Sequence, residues 1–312
     1  MARKARKPVV DFAVYLAVRV AVAIVQALPG NLPFRLGEAL GWLAYRLDKR
    51  HRFVAAENIR FAFPEFADDP VRVDRLVRGA FRHTALMAID IARLPRKFRI
   101  NTWSDFIDMT AGLRMLKTLY DTRPALLVTA HFGNWELAGW YVGACGIKTH
   151  AIARVLDNPR LEAFFKKFRQ ATGQTVIAKK DDFDRLTEVL KNGGKVATLA
   201  DQDAGPRGLF VPFFGRPAST HKAVALMAIE FDAPLAVLGL PRYAEPSFYG
   251  MECEDVIDPR DYAGQGDAVR AITERYTAAL ERIIRRHPEQ YFWFHRRWKH
   301  QPAIRERRAK AA

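Results

Sequence analysis

The chain reads as an α/β protein, a mostly parallel central sheet flanked by helices, with one helical extension at the N-terminus. Two observations predict this class. Apolar runs of strand length at residues 125–130, 146–155, 173–178, 195–201 and 234–241 alternate with stretches of helical period. Such alternation supplies the crossover helices that parallel strands need and that hairpins do without. The length, 312 residues, is enough to bury one large core.

The elements follow in order. Residues 1–7 carry four cations, Arg3, Lys4, Arg6 and Lys7, and lead into an apolar stretch at 9–28 that stops at Pro29-Gly30. About 20 apolar residues can cross a bilayer as a helix. Asp11 and Arg19 interrupt this stretch, and a charge near mid-membrane costs a few kcal/mol. The reading is a helix lying in, or obliquely entering, the membrane interface; an amphipathic core helix is the alternative. A cleavable signal peptide fits poorly, because the small-residue cleavage pattern is weak. Residues 33–61 place Leu36, Leu40, Leu43 and Leu47 on one helical face, and Asp69-Pro70 opens another helix that runs towards Pro95. Both read as scaffold. Helices are also expected at 159–172, with Phe164, Phe165 and Phe168 inward, at 181–191, and from a Ser219 or Thr220 cap through Ile229. A further strand is expected at 248–256 and a final helix at 268–287. The division expected is an anchor segment at 1–32, one domain at 33–302 and a basic tail at 303–312.

Composition narrows the function. Fifty Lys+Arg against 34 Asp+Glu give a formal charge of +16, which favours anionic partners: nucleic acid, acidic headgroups or an acidic carrier protein. Cys145 and Cys253, the two cysteines, make no disulfide framework. None of Ser104, Ser219 and Ser247 sits in G-x-S-x-G, and no zinc motif, P-loop or G-x-G-x-x-G occurs. No cofactor and no metal is called for.

The stretch ALLVTAHFGNWELAGW at 125–140 is a strand, a break at Phe132-Gly133-Asn134, and a helix start. His131 ends the strand and Glu136 lies on the first helical turn. Across such a turn they can face each other, with the carboxylate raising imidazole basicity and fixing its tautomer. That makes a general base for a hydroxyl proton. A hydrogen-bonded core histidine is the plainer reading of His131. Asn134 and Trp135 shape the turn, and Asn134 can also orient a substrate. The apolar loop Val211-Pro-Phe-Phe-Gly215 fits either an acyl-chain groove, a bilayer contact or core packing. Residues 291–299 interleave aromatics with Arg296, Arg297 and Lys299, a pattern that suits a membrane interface, nucleic acid or, in part, an edge strand.

His131-Phe-Gly-Asn-Trp-Glu136 resembles the H-x4-E signature of glycerolipid and lipid A acyltransferases. With it, in order, come Arg154, Arg169, Asp201-Gln-Asp-Ala-Gly-Pro-Arg207, Val211–Gly215 and Glu289–Lys299. This ordered set is similar to the late acyltransferases of lipid A biosynthesis, over roughly residues 10–302. The resemblance implies an O-acyltransferase on the cytoplasmic face of the inner membrane. It would move a fatty acyl chain from acyl carrier protein to a hydroxyl of a lipid A precursor or related glycolipid. By the same resemblance His131 and Glu136 are catalytic. Arg154, Arg169, Asp201 and Arg207 serve substrate binding, with Asp201 tethering Arg169. The partners implied are acyl carrier protein, a lipid acceptor and an anionic membrane surface, with no nucleic acid. A lysophospholipid or other glycolipid acceptor is the alternative. A basic binding protein without chemistry would explain the charge but leave the ordered set unexplained.

Overall fold

The computed structural model describes residues 8–97, 100–153, 155–178, 182–244 and 246–302. Four helices come first: α1 (Pro8–Ala27), α2 (Leu32–Leu47), α3 (Lys49–Ala62) and α4 (Pro70–Lys97). The short strand β1 (Ile107–Asp108) and helix α5 (Leu113–Tyr120) precede the alternating part. That part runs β2 (Ala125–Thr129), α6 (Trp135–Ala144), β3 (Thr149–Ala153), α7 (Pro159–Gln170), β4 (Thr175–Ala178), α8 (Phe183–Lys191) and β5 (Lys195–Leu199). The hairpin β6 (Leu209–Phe213) and β7 (Arg216–Thr220) follows, then α9 (Ala223–Glu230) and β8 (Leu235–Gly239). Strands β9 (Arg242–Ala244), β10 (Phe248–Gly250) and β11 (Glu252–Ile257), and helix α10 (Ala268–Arg286), complete the order.

Six strands form the central sheet in the order β11-β8-β2-β5-β3-β4. All neighbours are parallel except the edge strand β11, which runs antiparallel to β8. Strand β2, ALLVT, is buried along its whole length, as a parallel strand covered on both faces must be. Its period of two sorts the side chains between two cores. Leu126 and Val128 join residues of α3, α4, α9 and α10; Leu127 joins residues of α5 and α6 on the other face.

Three expectations change, and a fourth is decided among its alternatives. The helix expected over 33–61 breaks at Asp48, whose side chain accepts from the His51 backbone and caps α3. Ser219 and Thr220 lie in β7 rather than capping a helix, and the strand expected at 248–256 is two strands, β10 and β11. The loop at 211–215 is core packing. Val211, Phe213 and Phe214 are buried, and the hairpin turns on Phe214 (φ 54°) and Gly215 (φ 68°). Positive φ at both turn residues suits a tight hairpin, and it strains a phenylalanine. Packing of the Phe214 ring on Phe63, Trp293 and Trp298 offsets that strain.

The aromatic-basic segment after α10 is also internal. Tyr291, Trp293, Arg297 and Trp298 are buried, and the Arg297 guanidinium donates to the Ser219 carbonyl (2.6 Å) and Thr220 Oγ1 (2.7 Å). Tyr291, Trp293, Arg297 and Trp298 therefore clamp the segment inside the molecule, while Arg296 and Lys299 are exposed. Helix α1 behaves differently. Near its start Asn158 Nδ2 donates to the Asp11 carbonyl (2.8 Å), and just past its middle Arg19 lies over the Phe164 ring of α7. Near its end Gln26 Nε2 donates to the Ala92 carbonyl of α4 (2.7 Å), and Val25 packs with Phe34, Leu86 and Ile89. Between these ties its outward residues are exposed.

Candidate active site

Strands β2 and β5 are paired with Thr129 opposite Leu199, so two residues further on His131 stands beside Asp201. This is the carboxyl edge of the sheet, where open α/β folds hold ligands. The Asp201 carboxylate takes both of its neighbour's donors. Oδ2 accepts from the His131 backbone N–H (3.0 Å), and Oδ1 pairs with the ring Nδ1 (2.8 Å). Burial pushes Asp201 up, but the His131 charge and these hydrogen bonds prevail and hold it at about 2. With Nδ1 bonded to Asp201, the tautomer is set and Nε2 is the ring's other nitrogen.

Beyond His131 the backbone turns through Gly133 at φ 57°. A Cβ there would come within 2.1 Å of the Leu240 carbonyl, so only glycine fits. The Gly133 carbonyl meets Nε2 of buried His83 on α4 (3.0 Å). Asn134 caps α6, its Oδ1 accepting from the Leu137 amide (3.3 Å), and its Nδ2 donates to the Tyr249 hydroxyl (3.2 Å). That hydroxyl joins a buried cluster in which Arg242, Ser247 and Tyr249 all donate to Asp90.

Glu136, on the first turn of α6, accepts from Arg169 Nε (2.9 Å) and from a second guanidinium nitrogen (2.7 Å). Beside this pair an apolar cavity runs between α6 and the sheet. The small residues Ala138, Gly139, Ala151 and Ala197 leave the space, and Glu136 and Arg169 are among its polar lining.

The sequence-derived set thus regroups. His131, Glu136, Arg169 and Asp201 form two pairs, and the expected ion pair between Asp201 and Arg169 is replaced by His131–Asp201 and Glu136–Arg169. Asp201 holds His131, and Arg169 holds Glu136, because strand register sets the first and α7 packing beside α6 the second. Asn134 is fully buried and caps α6. Arg207 is exposed on the turn entering β6. Arg154 lies outside the described residues. Sequence reasoning missed His83, Asp90, Arg242, Tyr249 and His295; the last belongs to the tail motif, and the others carry no motif at all.

These features define an open α/β protein with a carboxylate-held imidazole at the strand ends and an apolar cavity alongside. The family model described as bacterial lipid A biosynthesis acyltransferase matches residues 3–300, and the chain belongs to that family. It is an acyltransferase. The chain is 28% identical over 293 residues to the lipid A biosynthesis lauroyltransferase of Escherichia coli, covering 92% of each. It is 28% identical over 273 residues to the lipid A biosynthesis palmitoleoyltransferase of Escherichia coli, covering 86% of this chain and 85% of that one. It is also 29% identical over 179 residues to the phosphatidylinositol mannoside acyltransferase of Mycobacterium tuberculosis, covering 56% of this chain and 54% of that one.

Proposed function

We propose that this acyltransferase moves a fatty acyl chain from an acyl carrier protein thioester to a hydroxyl of a lipid A precursor. The observation that carries the reading is the bidentate hold of Asp201 on His131 beside the apolar cavity. His131 Nε2 takes the acceptor hydroxyl proton as the oxygen attacks the thioester carbonyl. The C–S bond then breaks, and the departing sulfur takes that proton from the imidazolium. An ester and a free thiol result, with no acyl-enzyme. Asp201 fixes the tautomer and steadies the imidazolium, the part the sequence alone gives to Glu136. The Glu136–Arg169 pair borders the small apolar cavity between α6 and the sheet.

The seat of the reaction is the cytoplasmic face of a membrane. Helix α1 is apolar enough to span a bilayer by length and composition. Both its ends are tied to the same body, which favours a helix lying in the interface over one that leaves that body. Leu16, Val20 and Ile24 share its outward face at four-residue spacing and are about half exposed. On α2, Trp42 and Leu47 are exposed and Arg46 stacks on the Trp42 ring, a pairing suited to headgroup depth. The positive surface charge suits both anionic lipid and an acidic carrier.

Lipid mass spectrometry of cells lacking the protein tests this reading. One acyl chain should disappear from a lipid A species and return on re-expression. Leu16→Asp with Val20→Asp should move the protein from the membrane to the soluble fraction and restore less of that chain. Loss from a phosphoinositide glycolipid instead would move the acceptor towards that of the mycobacterial relative. An unchanged lipid profile would refute the reading.

A further inference from the structure

An acyl transfer needs donors for the oxygen that gains charge as the tetrahedral intermediate forms. In many such sites the backbone amides of the turn beside the catalytic residue supply them. Here those amides are spent. His131 N–H goes to Asp201 (3.0 Å), Phe132 N–H to the Ala130 carbonyl (2.7 Å), Gly133 N–H to the Gln290 carbonyl (3.0 Å) and Asn134 N–H to the Leu240 carbonyl (2.8 Å). The first turn of α6 already carries the Glu136 carboxylate, which opposes a second negative charge there. Arg169 directs its fork at Glu136. A side chain beside His131 can supply the donor instead.

His295 is in place. Its ring centroid lies 4.8 Å from that of His131, edge to face at 71°, and 4.9 Å from Phe292. Asn58 Nδ2 donates to the His295 carbonyl and Arg297 N–H does so at 2.9 Å, so the backbone that carries the ring is pinned from two sides. The Gln202 amide nitrogen lies 3.2 Å from His295 Nε2. With Gln202 donating, Nε2 accepts and the ring proton sits on Nδ1. His295 as a residue is half-buried.

We propose that His295 is a catalytic residue whose imidazole N–H donates to the carbonyl oxygen of the acyl donor as that oxygen becomes an oxyanion. The proposal rests on the acyl-transfer reading above. No proton passes from His295; the hydroxyl proton travels through His131 to the sulfur, and His295 stabilises charge alone. Burial and the neighbouring His131 lower the His295 pKa, against the pull of Asp201. A neutral ring suits this task, because it keeps its N–H and places no second cation beside the His131 imidazolium.

Steady-state kinetics of the full-length protein, with acyl carrier thioester and lipid acceptor varied separately, test the idea on three variants. His295→Phe keeps a ring and removes the donor, His295→Ala removes both, and His295→Gln keeps an N–H. Both donor-less variants should lose kcat by ~10²–10³-fold, the usual worth of one oxyanion donor, with either KM changed little. His295→Gln should recover about tenfold or more of the loss, and the pH limb set by His131 should stay where it is. Wild-type kcat in a folded His295→Phe or His295→Ala protein would overturn the proposal. So would equal losses in His295→Phe and His295→Gln, which would make the role one of packing. Failure of the wild-type protein to transfer any acyl chain would instead bring down the reaction itself, and this proposal with it.

Discussion

Strands β2 and β5 keep one offset along their pairing: Ala125 faces Lys195 and Thr129 faces Leu199. The same offset carries past the strand ends to His131 and Asp201, which is why one carboxylate can reach both the ring and the backbone of the histidine. The second pair, Glu136 with Arg169, is about four-fifths buried on each side chain and bonded through two nitrogens. Removing one partner strands the other charge, so Arg169→Ala should destabilise by roughly 1–3 kcal/mol, and Glu136→Ala by a similar amount. The double change should cost less than the sum, with a coupling of about 1 kcal/mol or more in thermal or urea melts. Additive losses would mean that the pair contributes no coupling to the fold. All four residues could be named from the sequence, yet their partners could not. Spacing along the chain relates His131 to Glu136 but says nothing of a residue on another strand until the two strands are known to be neighbours.

At the level of elements, the turn between β2 and α6 is held by α4, by the end of β8 and by the segment after α10. Helix α4 acts through His83, whose Nε2 donates to the Gly133 carbonyl (3.0 Å). Burial depresses the His83 pKa from 6.5 to about 4, despite that hydrogen bond, and Arg242 and Arg82 act in the same direction. The unfolded chain therefore takes up this proton before the folded one does. Stability from His83 is complete above pH 6.5 and is lost as the pH falls from 6.5 to 4, a total of roughly 3 kcal/mol. His83→Gln keeps a donor for Gly133 and removes the titration. It should melt near wild type at about pH 7.5 and be more stable than wild type at about pH 5. Parallel pH dependence in the two proteins would show that His83 does not titrate this way. Helices and strands here were legible because apolar period and turn residues agree. The tail at 289–299 was not, since alternating aromatics and arginines describe a buried clamp and an interfacial belt equally well. What decides is whether the arginine finds acceptors inside, as Arg297 does in β7.

Across the whole molecule, the apolar N-terminal stretch was legible as a helix, whereas its placement depended on contacts with α4 and α7 that no local pattern encodes. Those contacts bring α1 alongside α7, the helix whose Arg169 borders the cavity, so the surface read as membrane-facing and the candidate site share one wall. That wall, the cavity and the His131–Asp201 pair are the parts of the proposed transfer to a lipid hydroxyl, in which His131, held by Asp201, is the base. The most direct measurement is kcat for acyl transfer from an acyl carrier thioester to acceptor in anionic vesicles, with His131→Ala, Asp201→Asn and the double variant side by side. Each single change should lower kcat by ~10²–10⁴-fold, and the double should cost little more than the worse single one, because the two act as a unit. A folded His131→Ala protein that turns over like wild type would contradict the account.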